Sequence, residues 1–344
     1  GGGWARERAH RLGAVVGSGA LQHQAYLANR HGPELLTHDR FGHRLDEVEY
    51  HPAYHFLMGQ AFGAGVHSLA WTSPQPGGHL ARAVLSYLWN QGENGVACPT
   101  GMAYAAVPAL RHSERLRETW ARKLTVEAYD PVLRPEAEKA SLTIGMTLTE
   151  KQAGSDLRAS TTRARRAGAP DEYLLTGHKW FCSAPMSDGL FVIAAADGGP
   201  TLFLVPRVLP YGTRNRFYIQ MLKDKCGNRS NASSSIELFD TFAWRISEEG
   251  RGIRTAMEDA HLTRLDFAVG SAGLMRQALV QALHYGRGRR AFQKAIADQP
   301  LMRNVLADLV LESEAAMTLT LRIARALDEA GQGDAAALRL QRIG

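Results

Sequence analysis

Between Thr147 and Ser183 the chain collects residue types that could hold a flat, polar ligand. The first part, Thr147-Leu148-Thr149-Glu150-Lys151-Gln152-Ala153-Gly154-Ser155-Asp156, offers hydroxyls, and its glycine lets backbone N–H groups approach a phosphate or a carbonyl-rich ring closely. The second part, Gly177-His178-Lys179-Trp180-Phe181-Cys182-Ser183, brings aromatic faces and more polar backbone onto an expected strand. Folded side by side, the two segments make a cradle for a flat cofactor. Glu150 and Asp156 read as structural carboxylates, because their spacing alone does not make an acid/base pair.

Other reactive side chains are dispersed. The cysteines Cys98, Cys182 and Cys226 are odd in number, far apart and in no CxxC arrangement, so neither a disulfide framework nor a zinc site is indicated. That usage fits a reducing cytoplasm. Ten of the 13 histidines fall in the first 112 residues. His51 and His55 lie four apart, yet Pro52 intervenes and no third ligand is placed, so packing or capping is the expected role and no metal is assigned. Net charge is +6 with a pI near 9.3, which permits contact with nucleic acid or phosphate-bearing molecules without requiring it. Two basic clusters, Arg163/Arg165/Arg166 and Arg287/Arg289/Arg290, read as solvated faces.

The elements that must position the cradle fall into helices, then strands, then helices. Apolar residues are 45% and charged residues 22%, ordinary for a globular chain, and at 344 residues two or three domains are expected. No apolar run approaches the roughly 18 residues of a membrane span. Residues 1–140 read as a helical domain: residues 53–58 and 80–89 carry helical periodicity, a helix begins near Thr100, and residues 111–123 read as a charged, solvated helix. Residues 141–245 carry short β-branched and aromatic runs between turn residues, which suggests a small sandwich or barrel with a hairpin at Arg163–Gly168. Residues 246–344 return to helices, one over 263–292 and one over 301–330 after the break at Gln299-Pro300. The class is α+β.

Three motifs in order carry a resemblance. Thr149-Glu150 followed by Gly154-Ser155-Asp156, Lys179-Trp180-Phe181, and Arg289, Phe292 and Gln299 on a late helix together resemble the flavin-dependent acyl-CoA dehydrogenase family. GHKWF, LKDKCGNRSNAS, DQPLMR, PELLTHDRFGHRLDEVEYHPAYH and ACPTGMAYAAVPAL are similar to its adaptive-response, AidB-like branch. The resemblance spans nearly the whole chain. It implies a helical domain, a β-domain and a helical bundle that is incomplete here, with FAD as cofactor. Met146, Thr147, Leu148 and Thr149 would address the ring's polar edge, and Ser155 the pyrophosphate. Phe181, Cys182 and Ser183 would flank the ring, with Cys182 where many members carry a threonine. Arg289, Phe292 and Gln299 would reach the cofactor of a neighbouring subunit in a homotetramer.

The implied reaction removes an α-proton from an acyl thioester and passes a hydride to FAD, which needs a carboxylate base. The family's usual E-G-[ST] segment does not occur after Asp266, and Thr263 stands before Arg264 where some members place the glutamate. No catalytic residue is therefore assigned, the base is expected beyond residue 344, and the chain reads as a fragment. Acyl-CoA is the implied small substrate. The alternative implied by the branch is a protective flavoprotein of the alkylation response that binds double-stranded DNA with little turnover, chiefly through a further C-terminal region.

Overall fold

The computed structural model describes residues 3–343. The chain divides into two compact units: a barrel unit of Gly19–Ser68 and Gly95–Thr263, and a helical unit of Gly1–Ser18, Leu69–Asn94 and Arg264–Gly344.

The barrel unit opens with α2 (Gly19–Arg30), following α1 (Gly3–Val16) of the other unit, and then an antiparallel hairpin of β1 (Glu34–His38) and β2 (Arg44–Glu49). This hairpin corrects the all-helical reading of residues 1–140. Its turn is made by the Asp39 carboxylate, which accepts the N–H groups of Phe41 (2.8 Å) and His43 (2.9 Å), and by Gly42 at φ 85°. Next come α3 (Pro52–Gly63), the helical unit's α4 (Gly78–Trp89), and α5 (Ala97–Leu110). Pro52 at the first helical turn and the His51 ring, which accepts the Ala53 N–H at 3.1 Å, start α3. Residues 111–123 differ from the solvated helix expected of them. They wind partly as a π-helix (Arg117–Ala121), and Leu116, Trp120 and Leu124 are buried. Spacing of four puts those side chains on one face, against which the charges of the other face say nothing.

The strands β3 (Ile144–Thr147), β4 (Arg163–Arg166), β5 (Glu172–Ser183), β6 (Gly189–Ala196), β7 (Gly199–Pro206), β8 (Phe217–Leu222) and β9 (Ser233–Arg245) form one sheet. Pairings of β5 with β4, β4 with β6, β6 with β7, β7 with β9 and β9 back to β5 close it into a barrel. β3 bridges β5 and runs parallel to β6, and β8 lies on the edge of β9. Leu190–Ala194 and Leu202–Val205 are buried without interruption, so these strands read as continuous apolar runs rather than alternating ones. Gly145 is required where β3 meets the end of β5: a Cβ there would lie 2.5 Å from the Ser183 carbonyl oxygen.

In the helical unit, α6 (Gly252–Gly288), α7 (Pro300–Gly331) and α8 (Ala335–Ile343) join α1 and α4; the first turns of α6 belong to the barrel unit. α6 begins about three turns before the expected Thr263, two residues after Gly250 (φ 80°), and ends at Gly288, before Phe292. Ala83 and Tyr87 of α4, Val269 and Ala272 of α6 and Ala324 of α7 share a core. The buried Arg82 pairs with Asp266, which also accepts the Ser86 hydroxyl at 2.8 Å. The Asp328 carboxylate takes the first N–H groups of α4, His79 and Leu80, both at 2.9 Å.

Candidate functional site

Two of the three expected segments come together in the barrel unit. Met146 pairs with Ser183, and the Trp180 N–H donates to the Thr149 carbonyl at 2.8 Å, so residues 146–149 and 180–183 lie side by side. Gly154 sits against Thr149, where an added Cβ would be 3.3 Å from Cγ2, which brings the exposed Ser155 loop to the same edge. The pairing of β5 with β9 shifts register between Lys179 and Cys182. That irregularity turns both Trp180 and Phe181 partly outward instead of alternating, and Phe181 is 48% exposed.

Side-chain direction divides the expected set. Met146, Leu148, Thr149 and Ser183 are half-buried, while Thr147 and Cys182 are wholly buried. The Cys182 thiol lies beside Ser234 and Thr147, and burial pushes it up to about 12. Thr147 Oγ1 is buried without a hydrogen-bond partner. These two residues can meet a ligand on the outer face only through their backbone.

A buried ion pair that sequence reasoning did not find locks the cradle. Glu150 and Lys179 are both fully shielded, with Nζ 2.9 Å from Oε1. Glu150 also accepts the Thr161 N–H (2.7 Å) and hydroxyl (3.0 Å), the Thr162 N–H (3.1 Å) and hydroxyl (2.6 Å) and the Gln152 amide (2.7 Å). Burial opposes ionisation, but these bonds and the Lys179 ammonium hold the carboxyl far below the usual carboxylate range. Lys179 reaches the Leu148 carbonyl as well (3.3 Å), and the Lys151 N–H donates to the His178 ring at 3.2 Å. The loop is thus fastened to β5 at several points. Glu150 is structural, as its spacing suggests, and Asp156 caps a 3₁₀ turn through the Arg158 N–H. The available signal for Lys179 was its place in the Lys-Trp motif, two residues before the aromatic pair's end.

Cations crowd the aromatic patch. Lys223 Nζ stands 3.1 Å from the Trp180 ring centroid and Lys151 Nζ 5.1 Å. Burial and the neighbouring Lys151 lower the Lys223 pKa. The outer face therefore combines aromatic planes, two hydroxyls and positive charge, a donor set that fits an acceptor-rich flat ring.

Arg289, Phe292 and Gln299 lie together in the helical unit, after α6. Arg290–Ala291 and Lys294–Ala295 form a two-residue-turn hairpin with Phe292 (φ 51°) and Gln293 (φ 65°) at its tip. Gln299 donates to the Ala291 carbonyl at 3.0 Å and holds this hairpin. Phe292 is 92% exposed, in a backbone conformation that a bulky residue rarely adopts.

The remaining candidates have local roles. His55 Nδ1 meets the Tyr129 hydroxyl at 2.9 Å beside a cavity of about 350 Å³ lined also by Tyr50, Tyr54 and Asp188. Arg165 pairs with Asp240 (3.1 Å) and Arg166 with Glu249 (2.6 Å), while the Arg290 guanidinium turns back to the Gln293 carbonyl. On α6, Arg264 is exposed, Thr263 bonds back to Ala260, and Glu258 lies 3.3 Å from His112. Asp259, which sequence reasoning passed over, is 2% exposed with Oδ1 unpartnered, and burial and Glu258 raise its carboxyl well above the usual range.

This is the three-part architecture of the acyl-CoA dehydrogenases: helices, a closed β-domain carrying the cradle, then a helical bundle. Residues 1–131 match the AidB N-terminal domain, 145–241 the acyl-CoA dehydrogenase middle domain and 250–340 its C-terminal domain. The chain belongs to the acyl-CoA dehydrogenase family, in its AidB-like branch. AidB of Escherichia coli (strain K12) is 42% identical over 330 residues, 95% of this chain and 61% of that protein. Acyl-CoA dehydrogenase family member 11 of Caenorhabditis elegans is 29% identical over 338 residues, 94% of this chain and 54% of that protein. The crystal structure of C. elegans ACDH-11 in complex with C11-CoA superimposes with a TM-score of 0.86 at 25% identity, covering 94% of this chain and 56% of that one. The chain thus spans between 54% and 61% of the length of these curated relatives.

Proposed function

We propose that the cradle binds FAD and that the protein acts as a flavin oxidoreductase on the CH–CH group of an acyl thioester such as an acyl-CoA. The observation that carries this reading is the apposition of residues 146–149 with 180–183, with the Trp180 N–H on the Thr149 carbonyl and an aromatic, hydroxyl-bearing outer face. Backbone groups of residues 146–149 and the Thr149 hydroxyl would satisfy the ring's polar edge, and Ser155 the pyrophosphate. Bound FAD would supply the hydride acceptor. Lys151 and Lys223 make the patch positive, which suits a ring that gains negative charge on reduction. Of the carboxylates on α6, Glu258 faces His112, Asp259 is buried with its pKa raised, and Asp266 pairs with Arg82, so none is assigned as the base.

The same reading makes the protein a cytoplasmic homo-oligomer in which Arg289, Phe292 and Gln299 complete the cofactor site of a neighbouring copy. The near-complete exposure of Phe292 supports it. The test is anaerobic titration of the FAD-loaded protein with acyl-CoAs of graded chain length. Bleaching of the flavin band by one of them is expected, and no bleaching at any length refutes the dehydrogenase reading. Failure of the protein to retain FAD refutes the cofactor assignment separately.

A further inference from the structure

A second pocket in the barrel unit, of about 190 Å³, lies where β2 meets the segment joining β7 to β8. Arg44, Arg207, Arg214 and Arg216 line it, with Asp46 as the single acid of the lining. That acid is already used: Asp46 Oδ2 accepts Arg44 Nε at 2.7 Å, and Oδ1 accepts the Ile219 N–H at 2.8 Å. Glu47, outside the lining, pairs with Arg214.

Two guanidinium groups are left without a carboxylate. Arg207 is 4% exposed; its terminal nitrogens donate only to the Pro185 carbonyl (2.9 Å) and the Asp46 carbonyl (2.8 Å), and its Nε has no partner. Burial, with the nearby Arg214 charge, lowers its pKa to about 10 against the opposing pull of Glu47, Tyr50 and Asp46. Arg216, an exposed residue of the lining, has no side-chain partner among the described residues. Burying a cation against two carbonyls and the Phe217 ring, with the Arg214 charge nearby, is costly unless an anion completes the arrangement. Planar guanidinium forks are the side chains best matched to a tetrahedral oxyanion.

We propose that this pocket is a binding site for a phosphate-class oxyanion, either inorganic phosphate or the terminal phosphate of a small phosphorylated molecule. The Arg207 Nε–H and the Arg216 and Arg214 guanidiniums donate to its oxygens, and the Arg44 head contributes charge from the side. The site stands apart from the cofactor reading: none of its lining residues belongs to the cradle, and the anion needs no flavin.

The test is calorimetric titration of the FAD-loaded and FAD-free protein with inorganic phosphate and, separately, glycerol phosphate, alongside melting temperature. Saturable binding and a rising melting temperature are expected in both forms. The tighter of the two ligands identifies the source. Arg216→Gln removes a side chain with no partner among the described residues, so its melting temperature without phosphate should be unchanged while affinity falls about tenfold or more. Arg163→Gln, an exposed arginine on β4, should bind as the parent does. Absence of saturable binding by either ligand, or equal affinity in Arg216→Gln and the parent, overturns the proposal.

Discussion

Removing Lys179 or Glu150 tests whether the cradle is held by the buried pair or by the strands alone. Neither side chain has contact with solvent, so taking away one partner strands the other's polar group. Lys179→Met leaves the carboxylate with its bonds from Thr161, Thr162 and Gln152, and should cost about 3 kcal/mol. Glu150→Gln turns one acceptor oxygen into a donor facing N–H and O–H groups and leaves the ammonium unpaired, so about 5 kcal/mol is expected. The double variant should lose less than the sum, with a coupling of roughly 2 kcal/mol. Urea unfolding followed by tryptophan fluorescence measures all three. Glu150 also sets an acid limb: its folded pKa lies below the ordinary value of 4.5, so its stabilisation is present above that value and is lost as pH falls toward the folded pKa. The parent should lose stability below about pH 4.5 along a slope that Glu150→Gln lacks. Additive single costs within about 0.5 kcal/mol, or identical acid limbs, would refute the clamp.

Further expectations follow from single contacts. Gly145→Ala puts a methyl 2.5 Å from the Ser183 oxygen and 2.9 Å from the Ala184 oxygen, and should cost about 1–3 kcal/mol in urea while weakening FAD retention. Thiol titration of the native protein should label the exposed Cys226 first and leave the buried Cys182, raised to about 12, unlabelled until unfolding. Rapid native labelling of Cys182 would show that its side chain faces outward after all. Phe292→Ala should leave the melting temperature unchanged, since the ring is 92% exposed, yet speed FAD loss if a neighbouring copy uses it. Equal FAD off-rates in the variant and the parent would remove Phe292 from the cofactor site.

What could be read from sequence follows from how each element buries its side chains. The runs in β6 and β7 announced themselves because both faces are covered, and Gln299-Pro300 marked the start of α7 because proline suits a first helical turn. The β1–β2 hairpin did not, since its strands are short, charged and half-exposed; burying Asp46 beside Val48 breaks the alternation that would betray a strand. The stripe of Leu116, Trp120 and Leu124 was legible at spacing four, but the surrounding arginines and glutamates masked it. At the site, the resemblance supplied which segments meet, not which way their side chains turn. Cys182 shows the gap, because a register shift of β5 against β9 decides that it points inward while Trp180 and Phe181 do not.

The deeper limit concerns buried charge. Periodicity reports which face of an element is apolar, so a lysine or arginine in a strand is read as solvent-facing by default. Lys179 in β5 violates that rule; Arg207, just after β7, and Asp259, on α6, are buried against the same expectation for charged residues, and each of the three is more than nine-tenths shielded. Their environments differ in one respect that matters. Lys179 has a carboxylate 2.9 Å away, and the pair explains itself as a clamp. Arg207 Nε and Asp259 Oδ1 have no partner among the described residues. An uncompensated polar group in the interior costs stability, and a well-packed apolar residue would serve better there. Local rules fail where function or ligation requires it. Arg207 also lines a pocket with Arg216, whose guanidinium has no carboxylate among the described residues, and that position, unlike Asp259's, points to a ligand.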